Sequence, residues 1–300
     1  MCHAEATATS TVPVLDLSPT AAWMNGMYCY DHAGWRRLHP LACLLLLMEI
    51  FHISCLAVDI MHCKYLGTDM YFLGSVLWIL CFIILPGDAE HNLDTIWAEI
   101  VQLYKDTSTP CRFNNLTLSM FTLPGTPTEK FPKLKGKAAE IKDFVGILLQ
   151  VWRRHMDTTV QWHRMIEVGL HMSSHIDHII TSTQQKFCLQ GQELAEYQLA
   201  IFVFLCMQNA LATYFCSNGI FLFNITIKSH YLAHGALQAA WLHPGRAWCF
   251  AGEDLMQHLK RVMEYSTHGI RVHQWSERLL EKYCEGMHLE LTDVNAWYRA

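Results

Sequence analysis

The chain has no surplus of positive charge: over 300 residues, 22 Lys and Arg stand against 27 Asp and Glu, a net charge of −5 with a pI near 6.4. No global positive field is available to draw it onto nucleic acid, so any such contact must come from a local patch. It also lacks paired cysteine spacings. Its 12 cysteines are scattered, with no Cys-x-x-Cys pair and no cleavable signal sequence at the start. That argues against the disulfide scaffold of a secreted protein and for reduced thiols in an intracellular setting, nuclear or cytoplasmic. No Gly-rich phosphate loop, nucleophile elbow or internal repeat is present, which removes the nucleotide-binding, α/β-hydrolase and solenoid readings.

What the chain does have is apolar residues, 52% of the total, enough for one large core or a core with an inserted subdomain. Of two uncharged stretches, Met70 to Gly87 approaches the roughly 20 residues a bilayer span needs and Leu199 to Ile227 exceeds it. The first contains Gly74 and Ser75 and stops at Pro86-Gly87; the second carries Gln208, Asn209, Ser217, Asn218 and Asn224. Lipid would leave those groups poorly satisfied, so buried core helices are the favoured account and a two-span membrane protein the rival.

Along the chain, residues 1–37 show no steady period and read as a poorly ordered lead-in. The run from Ile50 to Val58 suits a buried strand ending at Asp59, although a helix over Leu41 to Phe51 has the same periodicity. A turn is expected at Gly67-Thr68-Asp69, then a helix to Pro86-Gly87, another over Asn92 to Tyr104, and a strand over Asn115 to Leu123. Beyond Pro124-Gly125-Thr126-Pro127, helical patterns cover about Lys137 to Met156, Thr158 to Thr181 and Gly191 to Phe215. A short apolar segment at Ile220 to Ile227 precedes His230 to Ala240. Glu253 opens an amphipathic helix, and a last helix covers His273 to Gly286.

Lys130, Lys133, Lys135, Lys137 and Lys142, interleaved with Phe131 and Pro132, form the best candidate patch for DNA; its plainer reading is a solvated loop and first helical turn. Among 18 histidines, His163, His171, His175 and His178 lie on helical patterns. The pair His171 and His175 has the i, i+4 spacing of a zinc site but lacks the intervening glutamate. Two segments remain. One is Val58-Asp59-Ile60-Met61-His62-Cys63-Lys64-Tyr65-Leu66-Gly67; the other is Lys228-Ser229-His230-Tyr231-Leu232-Ala233-His234, followed by Trp248-Cys249-Phe250-Ala251-Gly252-Glu253.

Together these resemble the hallmark segments of CACTA-type transposases: Asp-x-Met-His followed by Leu-Gly, then Lys-x-His-x-Leu-x-His before a helix-borne glutamate. The resemblance covers about Leu38 to Arg261. It implies an α+β chain, mostly helical, with a partial RNase H-like core interrupted by an all-α insertion: residues 38–126 as the first part of the core, 127–227 as the insertion and 228–300 as the return to the core. It implies an ancestral activity of DNA strand cleavage and transfer, with Glu253 as a catalytic acid holding magnesium or manganese. It also implies a structural zinc held by Asp59, His62, His230 and His234. The chain departs from the family in its other acids. Asp59 lies in the supporting motif, and Asp16 and Asp31 are the only aspartates upstream, with too little chain before them for a first strand. The expectation is a transposase-derived protein without autonomous nuclease activity; the alternatives are a helical binding or scaffold protein and the two-span membrane protein.

Overall fold

The computed structural model describes residues 57–122 and 130–297, with the side chains of 251–255 and of some later positions outside that description. Every regular element among the described residues is a helix. This overturns the expected α+β class and its partial RNase H-like core, since no strand or sheet is found there. The strand expected at Asn115 to Leu123 fails for a local reason. Its amides close turns on themselves, Met120 to Thr117, Phe121 to Leu118 and Thr122 to Leu118, around a single 3-10 turn at Leu118–Met120, and so are not offered to a neighbouring strand. The other expected strand, Ile50 to Val58, falls outside the described residues except at its last two positions, as do Asp16, Asp31 and residues 1–37.

Helix α1 spans Met61–Ile84 and is kinked near its start. Its first stretch, Met61–Asp69, is wound as a wide π-helix with a kink at Leu66, where φ is −88° and ψ 18°. The expected turn at Gly67-Thr68-Asp69 is therefore absent. Gly67 serves close approach instead: a Cβ there would lie 2.9 Å from the His62 carbonyl oxygen and 3.0 Å from Lys228 Cδ. At the far end the sequence signal holds. Leu85, before Pro86, turns extended and stops the helix. Asp88 then caps α2, Ala89–Asp106, by accepting from the Glu90 and His91 amides. Asn92 pins this corner by donating to the carbonyls of Cys81, Leu85 and Gly87.

The remaining helices of this unit are α3 (Ala138–His155), α4 (Gln161–Ser182), α5 (Gly191–Ser217) and α6 (Ile227–Gln238). On α3 the buried residues Ile141, Phe144, Val145, Leu148, Val151 and Trp152 recur at helical spacing and form the inward stripe. Helix α4 packs on α3 and α5, while α1 packs on α3 and α6. The Phe72 ring of α1 sits where a Cβ on Gly169 of α4 would be, at 2.4 Å, so glycine is required for α1 and α4 to close on each other. Phe72 also meets Phe204 and Phe223 at ring separations of 5.2 and 5.0 Å, building the centre of the core.

Helices Met61–Ile84 and Gly191–Ser217 are long and apolar enough to cross a membrane, and 78% and 44% of their apolar windows are buried inside the protein. By compactness the chain divides after Trp248, so α6 belongs with α1 rather than with the residues that follow. The second unit, Cys249–Ala300, is a helical hairpin of α7 (Phe250–Thr267) and α8 (Trp275–Trp297), joined through Gly269 at φ +76° and a 3-10 turn at Val272–Gln274. Helix α8 passes through Gly286, where the sequence suggested an end; an isolated glycine costs a helix only about 1 kcal/mol.

Candidate functional site

The two motif segments, about 160 residues apart in the chain, lie against each other as α1 and α6. Contacts at three levels fix the register. Lys228 Nζ donates to the Leu66 carbonyl at 2.6 Å, the Val58 amide donates to Gln238 Oε1 at 2.8 Å, and Gly235 leaves room for Ile60, whose Cδ1 would lie 2.7 Å from a Cβ there. Between these contacts sit the four residues that the resemblance marks for zinc. They form two pairs. Asp59 accepts from the Met61 amide at 3.0 Å, opening α1 as a capping carboxylate, and bonds His62 Nδ1 with its other oxygen. His230 and His234, one turn apart on α6, face each other Nε2 to Nε2 at 2.9 Å.

Burial, then the charge of His230, pushes the pKa of His234 down to about 3. At neutral pH the His234 ring is uncharged, and the imidazole pair is held by one shared proton. Among the described residues no three of Asp59, His62, His230 and His234 bring ligand atoms within 4.8 Å of one another. A zinc shell needs its donors about 2.0–2.2 Å from one point. The hydrogen bonds described here run within each pair, Asp59 to His62 and His230 to His234.

The sequence reading missed a second polar cluster, deeper in the same unit. Lys64, fully buried on α1, donates to Asp69 Oδ2 at 2.8 Å, to Asp177 Oδ2 at 2.9 Å and to Ser173 Oγ at 2.9 Å. Ser173 in turn donates to Asp69 Oδ1 at 3.0 Å, and the Tyr65 hydroxyl donates to Asp177 Oδ1 at 2.8 Å. The buried Tyr197 hydroxyl, close enough to Asp177 to feel its charge, makes no hydrogen bond. One ammonium thus faces two carboxylates. Burial works against the charge on Lys64, but Asp177 and Asp69 outweigh it and hold its pKa up. Burial raises both acids, Asp177 to about 6, against the pull of Lys64. The signal was present in the helical period. Ser173 and Asp177 stand on the same face of α4 as Ile166, Leu170 and Ile180, where an unexplained acid demands a buried partner.

The other candidates are placed as follows. Glu253 stands in the first turn of α7, as expected, and its side chain lies outside the described residues. His163 accepts from the Asp157 amide at 2.8 Å and meets the Trp162 ring edge-on, a satisfied core histidine. His171, His175 and His178 run along α4 with rings 6.3 and 6.4 Å apart, and among the described residues no three-ligand group includes them. Lys133, Lys135 and Lys137 lie not in a loose loop but on an extended segment fixed to α1. Compared with protein-family models, with curated proteins and with solved structures, the chain finds no match.

Proposed function

We propose that this chain is a helical binding or scaffold protein derived from a CACTA-type transposase, without nuclease activity of its own and working in the nucleus or cytoplasm. The observation that carries the reading is the meeting of the two motif segments. Lys228 reaches the Leu66 carbonyl across α1 and α6, as expected if both segments descend from one ancestral site. Their polar residues are engaged in bonds within and between the helices. Asp59 caps α1, His230 bonds His234, and Lys64 pairs with Asp69 and Asp177 in the core. Two-metal strand cleavage needs carboxylates converging on ions about 4 Å apart. Among the described side chains, the motif acid Asp59 and the nearby Asp69 are bound to His62 and Lys64 instead.

The burial of α1 supports a core helix over a membrane span, because its Lys64 is bonded to acids on α1 and α4 and would lose them in lipid. The test is incubation of the pure chain with supercoiled plasmid and manganese or magnesium. The plasmid stays intact on this reading. Nicking by the wild type that disappears in Glu253→Gln would overturn it.

A further inference from the structure

We propose that the extended segment Lys133-Leu134-Lys135-Gly136-Lys137, with the rings of Tyr71, Phe131 and Phe221, is a binding strip for single-stranded nucleic acid. The proposal deepens the binding-protein reading above and rests on it for the chain's character. It starts from backbone order. The Lys133 amide donates to Phe121 O at 3.2 Å, Leu134 to Met70 O at 2.9 Å and Lys135 to Met120 O at 2.8 Å. Gly74 of α1 lets this backbone lie directly on the helix, since a Cβ there would sit 2.7 Å from the Leu134 amide nitrogen. Leu134 is completely buried, so the alternation of an extended chain turns Lys133 and Lys135 out to solvent, and Lys137 after them.

Two residues of extended chain span roughly 6.5 Å. That is close to the step between successive phosphates on a nucleic-acid strand, so the backbone positions from which these lysines project are spaced like a polyanion's charges. Among the described residues none of Lys130, Lys133, Lys135 and Lys137 is paired with a carboxylate, in a protein whose net charge is −5. The nearby acids are turned elsewhere. Glu140 accepts from the Lys137 amide at 2.8 Å, and Asp143 accepts from the Cys111 amide and from Lys142. Lys135 also donates to the Ser119 carbonyl, which holds its stem along the surface.

The rings decide between single strand and duplex. Lys133 Nζ lies 5.6 Å from the centroid of the Tyr71 ring, and Phe131 meets Phe221 at 5.5 Å; all three rings are half-buried rather than closed into the core. Aromatic faces beside a cationic track suit unpaired bases, which stack on them with little regard to sequence; in a duplex those base faces are already covered.

The test is fluorescence anisotropy of the full chain with a labelled oligothymidylate at low salt. Expected is saturable binding whose log–log salt slope is about −2 to −3, from three or four phosphate contacts on a single strand. Changing Lys133, Lys135 and Lys137 together to Gln weakens binding at least tenfold and flattens the slope, while the melting temperature stays put because all three are exposed. Phe131→Leu weakens binding severalfold with the slope unchanged, separating stacking from charge. Absence of saturable binding, undiminished binding by the triple variant, or equal competition by a duplex of the same length would each overturn the proposal. Metal-dependent plasmid nicking would defeat the non-nuclease reading and leave the strip standing; lost oligonucleotide binding without nicking would do the reverse.

Discussion

Lys64 and Lys135 carry the same ammonium, and the protein treats them in opposite ways. Lys64 is sealed in the core against two aspartates and a serine; Lys135 rides outward on a segment whose neighbour Leu134 is buried. What separates them is the period of the element beneath. On a helix, Lys64 falls on the stripe that meets α4 and needs Asp69 and Asp177 to be tolerated there; on an extended chain, alternate residues reach water and need no counter-ion. A buried ion cluster is costly to break, whereas an exposed lysine is nearly free to change and remains available to a ligand.

The comparison is broken most severely by Lys64→Met. Two buried carboxylates then lose their counter-ion, and the expected loss is about 3–5 kcal/mol at neutral pH, read by denaturant unfolding. The loss shrinks as the pH is lowered, because the orphaned acids then take up protons. Lys135→Met, by contrast, stays within about 0.5 kcal/mol. Next in size is Gly74→Val, which drives the extended segment off α1. It costs on the order of 1–3 kcal/mol by overpacking, and oligonucleotide binding falls with it.

The pH dependence of the cluster comes third. The Asp177 pKa in the folded protein, about 6, lies above its unfolded value near 4, so its contribution is fully present below pH 4 and is lost as pH rises through about 6. Wild-type stability relative to Asp177→Asn therefore falls across pH 4–6, by about 2–3 kcal/mol, and is level above it. A ratio that rises with pH over this window would mean that Lys64, and not burial, dominates the acid. The smallest effect is that of chelator. With Asp59 bonded to His62 and His230 to His234, removing divalent ions leaves the melting temperature unchanged, and a destabilised protein would show that the two pairs close around zinc.

Much of the helical order was legible. Asp88 as a cap, Pro86 as a stop and the apolar stripes of α3 and α4 each act over one or two turns, so their signal is local. The sheet was misread because a strand depends on a neighbour; Asn115 to Leu123 alternates well enough in sequence, but the amides of Met120, Phe121 and Thr122 turn back on the segment itself. Gly67 was read as a turn because glycine serves both a bend and a close approach, and only the position of Lys228 tells which. For the site, the sequence singled out Asp59, His62, His230 and His234, and the structure places them in two pairs along one interface. Asp177 was invisible as a partner of Lys64 because 113 residues separate them and nothing local marks the pairing.

The central claim is that the segments 58–67 and 228–238 form one cooperative structural core and not a loosely held catalytic surface. Native-state hydrogen exchange tests it directly. The account predicts that the α1 amides from Cys63 to Asp69 and the α6 amides from Leu232 to Gln238 exchange only through global unfolding, at one shared free energy, and that Lys64→Met lowers both by the same amount. Exchange of α6 at a clearly lower free energy than α1, or a Lys64→Met effect confined to α1, would contradict it.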